Sequence, residues 1–294
     1  MPRVSVGMPV YNNVATIERA IVSILCQTFR DFELIISDNA STDGTTAIIG
    51  RLAARDPRIA HIRQPETVSA AENFRIVLLE AKAPYFMWAA GDDYWCDTFI
   101  EKNLAALEAD PELVGSTSKV QFTHNGEPVE LAGIDGNLAL MGTVRENIYH
   151  YLQDPGSMGL IYSLTRRESL VASYPSESFH ALDWAITLGT LRFGKYNMID
   201  EVLLVRDNTE ISGYTKQVDI DNKTYLTRLF PLLPFTRYAI FKLRIPLSRW
   251  TIVSLIEMNA RFHRSYALYK YPRYGKCIGV VFGAVDKVFR ALFR

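Results

Sequence analysis

The chain has 294 residues, of which 48% are apolar and 22% charged, enough to bury one large α/β core. This composition excludes long disordered or low-complexity segments. The net charge of zero hides a split: residues 1–230 carry 20 Lys and Arg against 30 Asp and Glu, whereas residues 231–294 carry 12 against 2. A basic C-terminal region predicts an anionic partner surface, for which membrane and nucleic acid are the usual candidates.

Cysteine usage and the N-terminus both bear on the cellular compartment. Cys26, Cys96 and Cys277 lie far apart with no CxxC spacing, which argues against a zinc site and a disulfide framework. The N-terminus lacks a basic segment followed by an apolar signal stretch. We therefore expect a cytoplasmic protein with reduced thiols.

Strand-like and helix-like segments alternate along the first 90 residues. The pattern predicts strands at 4–10, 32–37, 59–63 and 85–90, and helices at 15–25, 46–54 and 69–81. This order predicts an α/β fold with a mostly parallel central sheet and helices on both faces. A helix over 100–108 follows, then shorter segments, and apolar-basic stretches at 236–247 and 280–293 that have a helical pattern.

Three polar groups follow predicted strands: Pro9–Asn12, Asp38–Asp43 and Asp92–Asp93. Ligands of parallel sheets bind at the carboxyl ends of the strands, so we expect these groups to converge on one crevice. The glycines of the GxGxxG and GxxxxGK[ST] phosphate loops are absent. Adjacent carboxylates after a strand instead suit a hard divalent cation, Mg²⁺ or Mn²⁺, that bridges a diphosphate, although a solvated turn is the alternative.

The segments Val6–Asn12, Phe32–Thr45 and Gly91–Asp93 together resemble the GT-A fold glycosyltransferases of family 2. Their order, spacing and strand-end placement match over roughly residues 1–110. The resemblance implies an inverting, metal-dependent transfer of a sugar from a nucleotide diphosphate donor, such as a UDP-sugar, to an acceptor hydroxyl.

Residue by residue, the resemblance implies a donor site on the first two polar groups. Pro9, Tyr11 and Asn12 look like the loop that packs on the donor's base, since an aromatic face suits stacking. Asp38 would accept a hydrogen bond from that base.

The resemblance assigns the third polar group to the phosphates. Asp92 looks like the carboxylate on the ribose or phosphate side, and Asp93 like the direct metal ligand. Two positions depart from the family pattern: Ala90 stands where an Asp is frequent, and Asn39 replaces a second Asp after strand two. The metal site then depends on Asp93 and the phosphate oxygens.

Asp183 is the candidate catalytic base, because it resembles the Asp that the family places before an acceptor-side helix. A base is required since a sugar hydroxyl must lose its proton as the new bond forms. Trp184 would offer an apolar face to a sugar ring. A helix N-terminal carboxylate without a catalytic role and His180 as a rival base both stay open.

Two further polar stretches lie downstream. Asp200-Glu201 is interpreted as a solvated turn between strands. Arg206–Tyr214 is interpreted as either a loop that closes over the donor or a plain surface loop, and contact of Arg206 with phosphate is a further alternative.

These features divide the chain into residues 1–115, a nucleotide-sugar-binding half, residues 116–230, an acceptor-binding half, and residues 231–294, an amphipathic basic helical tail. The expected partners are a nucleotide sugar, a glycan or lipid-linked acceptor, and an anionic membrane at the inner face of the cell, bound through the tail. Packing of the tail on the catalytic domain or on a second copy in a homo-oligomer is the alternative, and no nucleic-acid partner is expected.

Three other functions stay open, and one of them is a nucleic-acid binder that works through the basic C-terminal region. The incomplete aspartate motif allows a nucleotide-sugar-binding module without catalysis. A nucleotidyltransferase would also use metal and aspartates, but it would need a glycine-rich basic loop where Pro9–Asn13 stands.

Overall fold

The structure, a computed structural model, describes residues 1–124, 127–129, 139–153, 155, 159–207, 227 and 230–274. Its elements confirm the predicted α/β fold. The strands of these residues are β1 Val4–Val10, β2 Phe32–Asp38, β3 Ile59–Arg63, β4 Tyr85–Trp88, β5 Tyr94–Trp95, β6 Leu113–His124, β7 Glu127–Val129, β8 Leu164–Arg166 and β9 Lys195–Asp207.

The helices of the same residues lie mostly between the strands. They are α1 Ile17–Leu25, α2 Thr45–Ala53, α3 Ala70–Glu80, α4 Phe99–Ala109, α5 Val144–Gln153, α6 Arg167–Ser173, α7 Leu182–Thr190, α8 Leu233–Arg237 and α9 Arg249–Lys270. Short 3₁₀ turns at Gly159–Tyr162 and Pro272–Tyr274 and a π-helical turn at Tyr238–Lys242 complete them.

The strands join in one sheet with the order β3-β2-β1-β4-β8-β6-β9-β5, and β7 pairs with β6. β1 pairs in parallel with β2 and β4, and β2 with β3. β8 joins this parallel part to β6 through antiparallel pairs on both of its sides. The sheet is thus parallel in its first half and mixed in its second.

β1 lies at the centre of the parallel part and is buried along almost its whole length. This explains its apolar sequence, because a parallel strand between two others is covered on both faces. Neighbouring side chains pack closely on β1 at Gly7, where an added Cβ would lie only 2.5 Å from Cζ of Phe86, so a larger residue does not fit there. The register places Val10 beside Asp38, so the chain leaves β1 and β2 at neighbouring points.

The prediction of a turn at Asp200-Glu201 is wrong, because both residues lie inside β9. The parallel register between β6 and β9 passes from the pair Ser118 and Ile199 to the pair Lys119 and Val202, which leaves the two acidic residues as an irregularity in the strand. A bulge leaves such extra residues unpaired within a continuing strand, so two adjacent acidic residues there have the same polar sequence as a turn. Glu201 pairs with Lys102 at 2.5 Å.

The predicted helix at 236–247 is also wrong in part. α8 ends at Arg237, the π-helical turn follows, and the chain is irregular from Leu243 to Ser248. Pro246 disfavours helical backbone at the residue before it, and Arg244 has a positive φ of 51°. The predicted helix at 280–293 lies outside the described residues.

The chain divides into two compact units. The first comprises residues 1–144, 156–174 and 186–209 and holds the sheet; the second comprises residues 145–155, 175–185 and 210–294. Among the helices that the structure describes, none is long and apolar enough to cross a bilayer.

Candidate active site at the strand ends

The first two polar groups are joined directly by hydrogen bonds between their loops. The backbone amide of Asn12 donates to Oγ of Ser41 at 3.0 Å, and the amide of Thr42 donates to Oδ1 of Asn12 at 2.9 Å. Asn12 has a φ of 52°, a left-handed conformation that asparagine tolerates better than most residues. The Asn12 side chain therefore ties the loop after β1 to the loop after β2.

Asp38, the last residue of β2, is fully buried and organises the second loop. Its Oδ1 accepts a hydrogen bond from the amide of Ser41 at 2.9 Å, and its Oδ2 accepts one from the hydroxyl of Thr46. Arg63 approaches Oδ2 at 4.0 Å. Burial by itself would raise the pKa of the Asp38 carboxyl, but the hydrogen bonds from Ser41 and Thr46 outweigh it and hold the pKa below its ordinary value.

The third polar group lies against the loop after β1. Oγ1 of Thr16 donates to the carbonyl of Gly91 at 2.8 Å, and Arg19 donates to the carbonyl of Asp92 at 2.9 Å. An added Cβ at Gly91 would lie 3.2 Å from Oδ1 of Asn13, so a side chain there would crowd this loop. The three groups therefore converge at the carboxyl ends of β1, β2 and β4, as predicted.

Asp92 and Asp93 are adjacent but occupy different environments. Asp92 is exposed, whereas Asp93 is 2% exposed. Oδ2 of Asp93 accepts a hydrogen bond from Nε of Arg206 at 3.2 Å, and the Arg206 guanidinium also lies 4.7 Å from the centroid of the Tyr162 ring. Burial would lower the pKa of Arg206, but Tyr162 and the two carboxylates more than compensate and raise it.

The contact of Arg206 with Asp93 is the feature of the site that the sequence did not predict. The sequence places Arg206 at the start of a polar loop, or in contact with phosphate, whereas Arg206 and Asp207 complete β9. β9 runs antiparallel to β5, with Val205 opposite Tyr94, and this brings Arg206 to Asp93. A pairing between residues 113 positions apart leaves no signal in local spacing. The remainder of the loop, residues 208–214, lies outside the described residues.

The donor set at this edge suits a hard cation that brings other ligands with it. Among the described residues, no three His, Cys, Asp or Glu side chains form a cluster that would hold a metal by themselves. Mg²⁺ is commonly bound through one or two carboxylates and completed by water and substrate phosphates. Asp93 and the exposed Asp92 supply such a pair of oxygen donors.

Pro9 and Tyr11 flank the end of β1. Pro9 is half-buried and pairs with Ser37 in the sheet, while Tyr11 is 51% exposed. The amide of Tyr11 donates to Oδ1 of Asn13 at 3.2 Å, which fixes its backbone in the loop. An aromatic ring is thus available at the surface beside Asn12.

Asp183 lies in the second unit, in the first turn of α7, and is exposed. Two residues before it, Ala181 has a φ of 64°, a strained conformation for a residue with a Cβ. The neighbouring His180 is 2% exposed and packs against Phe262. Asp183, and not His180, therefore presents its side chain to solvent.

The prediction that Trp184 offers a face to a sugar is wrong. Its side chain is 8% exposed and packs edge-on against Phe235 and Phe262 in the core of the second unit. Next to the exposed Asp183, Trp184 lies on the opposite, inward side of α7. The polarity of the sequence around it did not distinguish these two sides.

A family model and the relatives found by comparison with known proteins indicate the same family. A family model described as Glycosyl transferase family 2 matches residues 5–155. An uncharacterized glycosyltransferase of Haemophilus influenzae is 33% identical over 201 residues, which cover 68% of this chain and 76% of that protein. The Escherichia coli UDP-Glc:alpha-D-GlcNAc-diphosphoundecaprenol beta-1,3-glucosyltransferase WfaP is 33% identical over 130 residues, 44% of this chain and 48% of WfaP.

EpsE of Bacillus subtilis is 38% identical over 108 residues, 36% of this chain. The chain thus spans only 39% of EpsE and about half of WfaP.

Two solved structures show the same fold. TarS of S. aureus, residues 1–349 in complex with UDP-GlcNAc, aligns with a TM-score of 0.61 at 15% identity and covers 99% of this chain and 92% of its own. The mannosyltransferase PcManGT of Pyrobaculum calidifontis, in complex with GDP-Man and Mn²⁺, aligns with a TM-score of 0.53 at 18% identity, covering 98% and 87%.

The buried carboxylate of Asp38 predicts a pH-dependent contribution to stability. We expect Asp38→Asn to lower the free energy of unfolding at pH 7 by about 1–3 kcal/mol, because the hydrogen bonds to a charged acceptor are weakened. The pKa of Asp38 is lower in the folded chain than in the unfolded chain, where it is about 4. The extra stability of the wild type over Asp38→Asn is therefore present above about pH 4 and is lost as the pH falls through the pKa of the folded chain. Urea unfolding at a series of pH values measures it.

Asp31→Asn, at an exposed position, is the matched control and should change stability far less at every pH. If the loss of unfolding free energy caused by Asp38→Asn were the same at pH 3 as at pH 7, the charge of Asp38 would not be the source of the stabilisation.

Proposed function

This chain belongs to glycosyltransferase family 2, and from that premise we propose that it transfers a sugar from a nucleotide diphosphate to an acceptor hydroxyl with inversion at the anomeric carbon. The observation that carries the proposal is the convergence of the Asn12 loop, Asp38 and Asp92-Asp93 at the carboxyl ends of three parallel strands. WfaP is named for a UDP-glucose donor and TarS is solved with UDP-GlcNAc, which supports a UDP-sugar.

The donor's base would lie against the loops after β1 and β2. Tyr11, exposed at the end of β1, is placed to stack on a planar base, and Pro9 and Asn12 hold the loop that carries it. Asp38 accepts hydrogen bonds from Ser41 in the loop and from Thr46 in α2, and we infer that it accepts a further one from the base. The same carboxylate would then fix the loop and recognise the donor.

Asp92 and Asp93 would hold Mg²⁺ or Mn²⁺ together with the diphosphate. When bound, the cation would neutralise the charge that develops on the leaving nucleoside diphosphate. Arg206 donates a hydrogen bond to the Asp93 carboxylate and so fixes its position. The structure of PcManGT with GDP-Man and Mn²⁺ supports a cation in this fold.

Asp183 would take the proton from the acceptor hydroxyl. It is an exposed carboxylate in the first turn of α7, next to a strained backbone position, and strain of this kind is concentrated at functional sites. The proton leaves as the bond from the acceptor oxygen to the anomeric carbon forms and the bond to the diphosphate breaks. A base that removes it contributes on the order of 10²–10⁴-fold to turnover.

We propose a glycan or lipid-linked acceptor and a peripheral position at the inner face of the cell membrane. The acceptor named for WfaP is carried on diphosphoundecaprenol. Residues 231–294 hold 12 Lys and Arg against 2 Asp and Glu, which favours contact with anionic lipid.

A sugar-binding module without catalysis is the second candidate, because Ala90 stands where an aspartate is frequent in the family. Donor hydrolysis with added Mn²⁺ separates the two: a module binds the donor without releasing nucleoside diphosphate.

We expect Asp93→Asn to reduce transfer by at least about 10²-fold, because the ligand that holds the cation loses its charge. Asn is preferred to Ala, since it keeps the volume of the buried side chain and an oxygen that accepts the hydrogen bond from Arg206. Initial rates at limiting Mn²⁺ measure the effect.

The matched control is Asp97→Asn, an exposed carboxylate four residues further on, which should keep full activity. Normal transfer by Asp93→Asn at limiting Mn²⁺ would refute the metal assignment.

We expect Asp183→Asn to leave the affinity for the donor unchanged and to lower turnover by about 10²-fold or more, as loss of a general base does. Turnover and donor binding are measured separately, by steady-state kinetics and by calorimetry. Glu177→Gln, an exposed acid before the same helix, serves as the control and should retain turnover. Weakened donor binding with unchanged turnover in Asp183→Asn would give Asp183 a structural role instead.

A further inference from the structure

We propose that residues 241–256, here called the interfacial segment, insert into the surface of a bilayer that contains anionic phospholipid. The segment comprises the end of the π-helical turn, the irregular stretch after it, and the first two turns of α9. The inference deepens the membrane association proposed above and rests on it for its biological purpose, because it names the surface that makes the contact.

Three large apolar side chains of the interfacial segment are exposed, one in the π-helical turn, one in the irregular stretch and one at the start of α9. Phe241 is 70% exposed, Leu247 51% and Trp250 57%. Between them, Leu243 and Ile245 are each 4% exposed and anchor the segment in the second unit. The backbone is thus held by two buried residues while three large apolar side chains remain in solvent, an arrangement that is costly unless another apolar phase receives them.

The apolar surface continues onto α9. Ile252 and Ile256 are 43% and 41% exposed, and with Arg249 they follow a spacing of three and four residues along one side of the helix. Leu255 and Met258 are each 3% exposed and lie on the side that faces the core. The first two turns of α9 therefore carry an apolar stripe on each side, of which one is buried and the other exposed among the residues that the structure describes.

Charge indicates which apolar phase would receive this surface. The segment itself carries Lys242, Arg244 and Arg249, and all three are exposed. Over residues 230–274 there are eight Lys and Arg, and Glu257 is the one acidic residue. Basic residues beside exposed Trp, Phe and Leu are typical of segments that lie in the interface of an anionic membrane, where each basic residue strengthens binding about fivefold.

The backbone of the segment is strained at its centre. Arg244 has a φ of 51°, an uncommon conformation for a residue with a long side chain. It lies exposed between the two buried anchors, Leu243 and Ile245. Strain that the surrounding structure maintains is concentrated at functional positions, and here it holds a basic residue at the surface between the exposed apolar side chains.

An open cavity of about 260 Å³ adjoins the segment within the second unit. Ser248 and Trp250 line it together with Arg145, Glu146 and Tyr149. Its mixed charge and aromatic walls suit the polar headgroup of a lipid whose chains contact Trp250 and Leu247.

The test is flotation of the full chain with vesicles of phosphatidylglycerol and phosphatidylcholine, and with phosphatidylcholine alone, at low salt. We expect the wild-type chain to float with the anionic vesicles and far less with the neutral ones. Phe241→Ser together with Trp250→Ser should reduce the partition constant on the order of 10²-fold, because two large apolar side chains no longer leave water. Lys242→Gln with Arg249→Gln should reduce binding to the anionic vesicles alone.

Phe193→Ser, at a 54% exposed aromatic residue of the other unit, is the matched control and should float like the wild type. Melting temperatures confirm that each variant is folded. Two results would overturn the proposal. The first is a wild-type chain that remains at the bottom of the gradient with the anionic vesicles. The second is a Phe241→Ser/Trp250→Ser variant that floats like the wild type while a Lys287→Glu/Arg290→Glu variant, changed in the C-terminal tail, no longer floats. Transfer to a soluble acceptor is measured separately, so failure of the membrane contact is distinguishable from failure of the proposed catalysis.

Discussion

The parallel pairing of β1 with β2 and β4 is the constraint on which the site depends. Parallel strands end at the same edge of a sheet, so residues distant in the chain, Asp38 and Asp92-Asp93, meet beside the loop that follows β1. The burial of β1 on both sides fixes its register, and the register brings Val10 next to Asp38. The side chains of Asn12 and Ser41 accept hydrogen bonds from backbone amides, and that of Thr16 donates one to a carbonyl, and these bonds connect the loops to one another.

The ion pair between Asp93 and Arg206 connects β9, in the second half of the sheet, to the loop after β4. The guanidinium of Arg206 compensates the charge of a carboxylate that is almost completely buried. In the proposed function, such a fixed carboxylate would need little reorganisation to hold a cation, which is how preorganised groups contribute to electrostatic catalysis. The pair therefore connects the stability of the β5 and β9 pairing to the chemistry proposed for the site.

The sequence predicted the part of the fold that local patterns determine. β1 and β3 have the predicted bounds, because an apolar run between polar loops marks both ends of a buried strand. The same logic located the strand-end groups around Pro9, Asp38 and Asp93. It could not find the contact of Arg206 with Asp93, since that contact requires the antiparallel pairing of β5 with β9.

The wrong predictions have a common physical origin, which is that local polarity does not report tertiary environment. Asp200-Glu201 has the composition of a turn but lies in an irregularity of β9. Trp184 follows an exposed Asp but is buried by Phe235 and Phe262 from α8 and α9. The irregular stretch after Lys242 has apolar residues at helical spacing, and its conformation follows from Pro246 and the positive φ of Arg244.

The central claim is that the strand-end groups bind a nucleotide sugar with a divalent cation. Thermal unfolding of the full chain with a panel of nucleotide sugars, with and without Mn²⁺, tests it most directly, because a ligand that binds only the native state raises the melting temperature. We expect a clear rise of the melting temperature for at least one UDP-sugar, and a larger rise with Mn²⁺ than without. A melting temperature unchanged by every nucleotide sugar, with and without Mn²⁺, would contradict it.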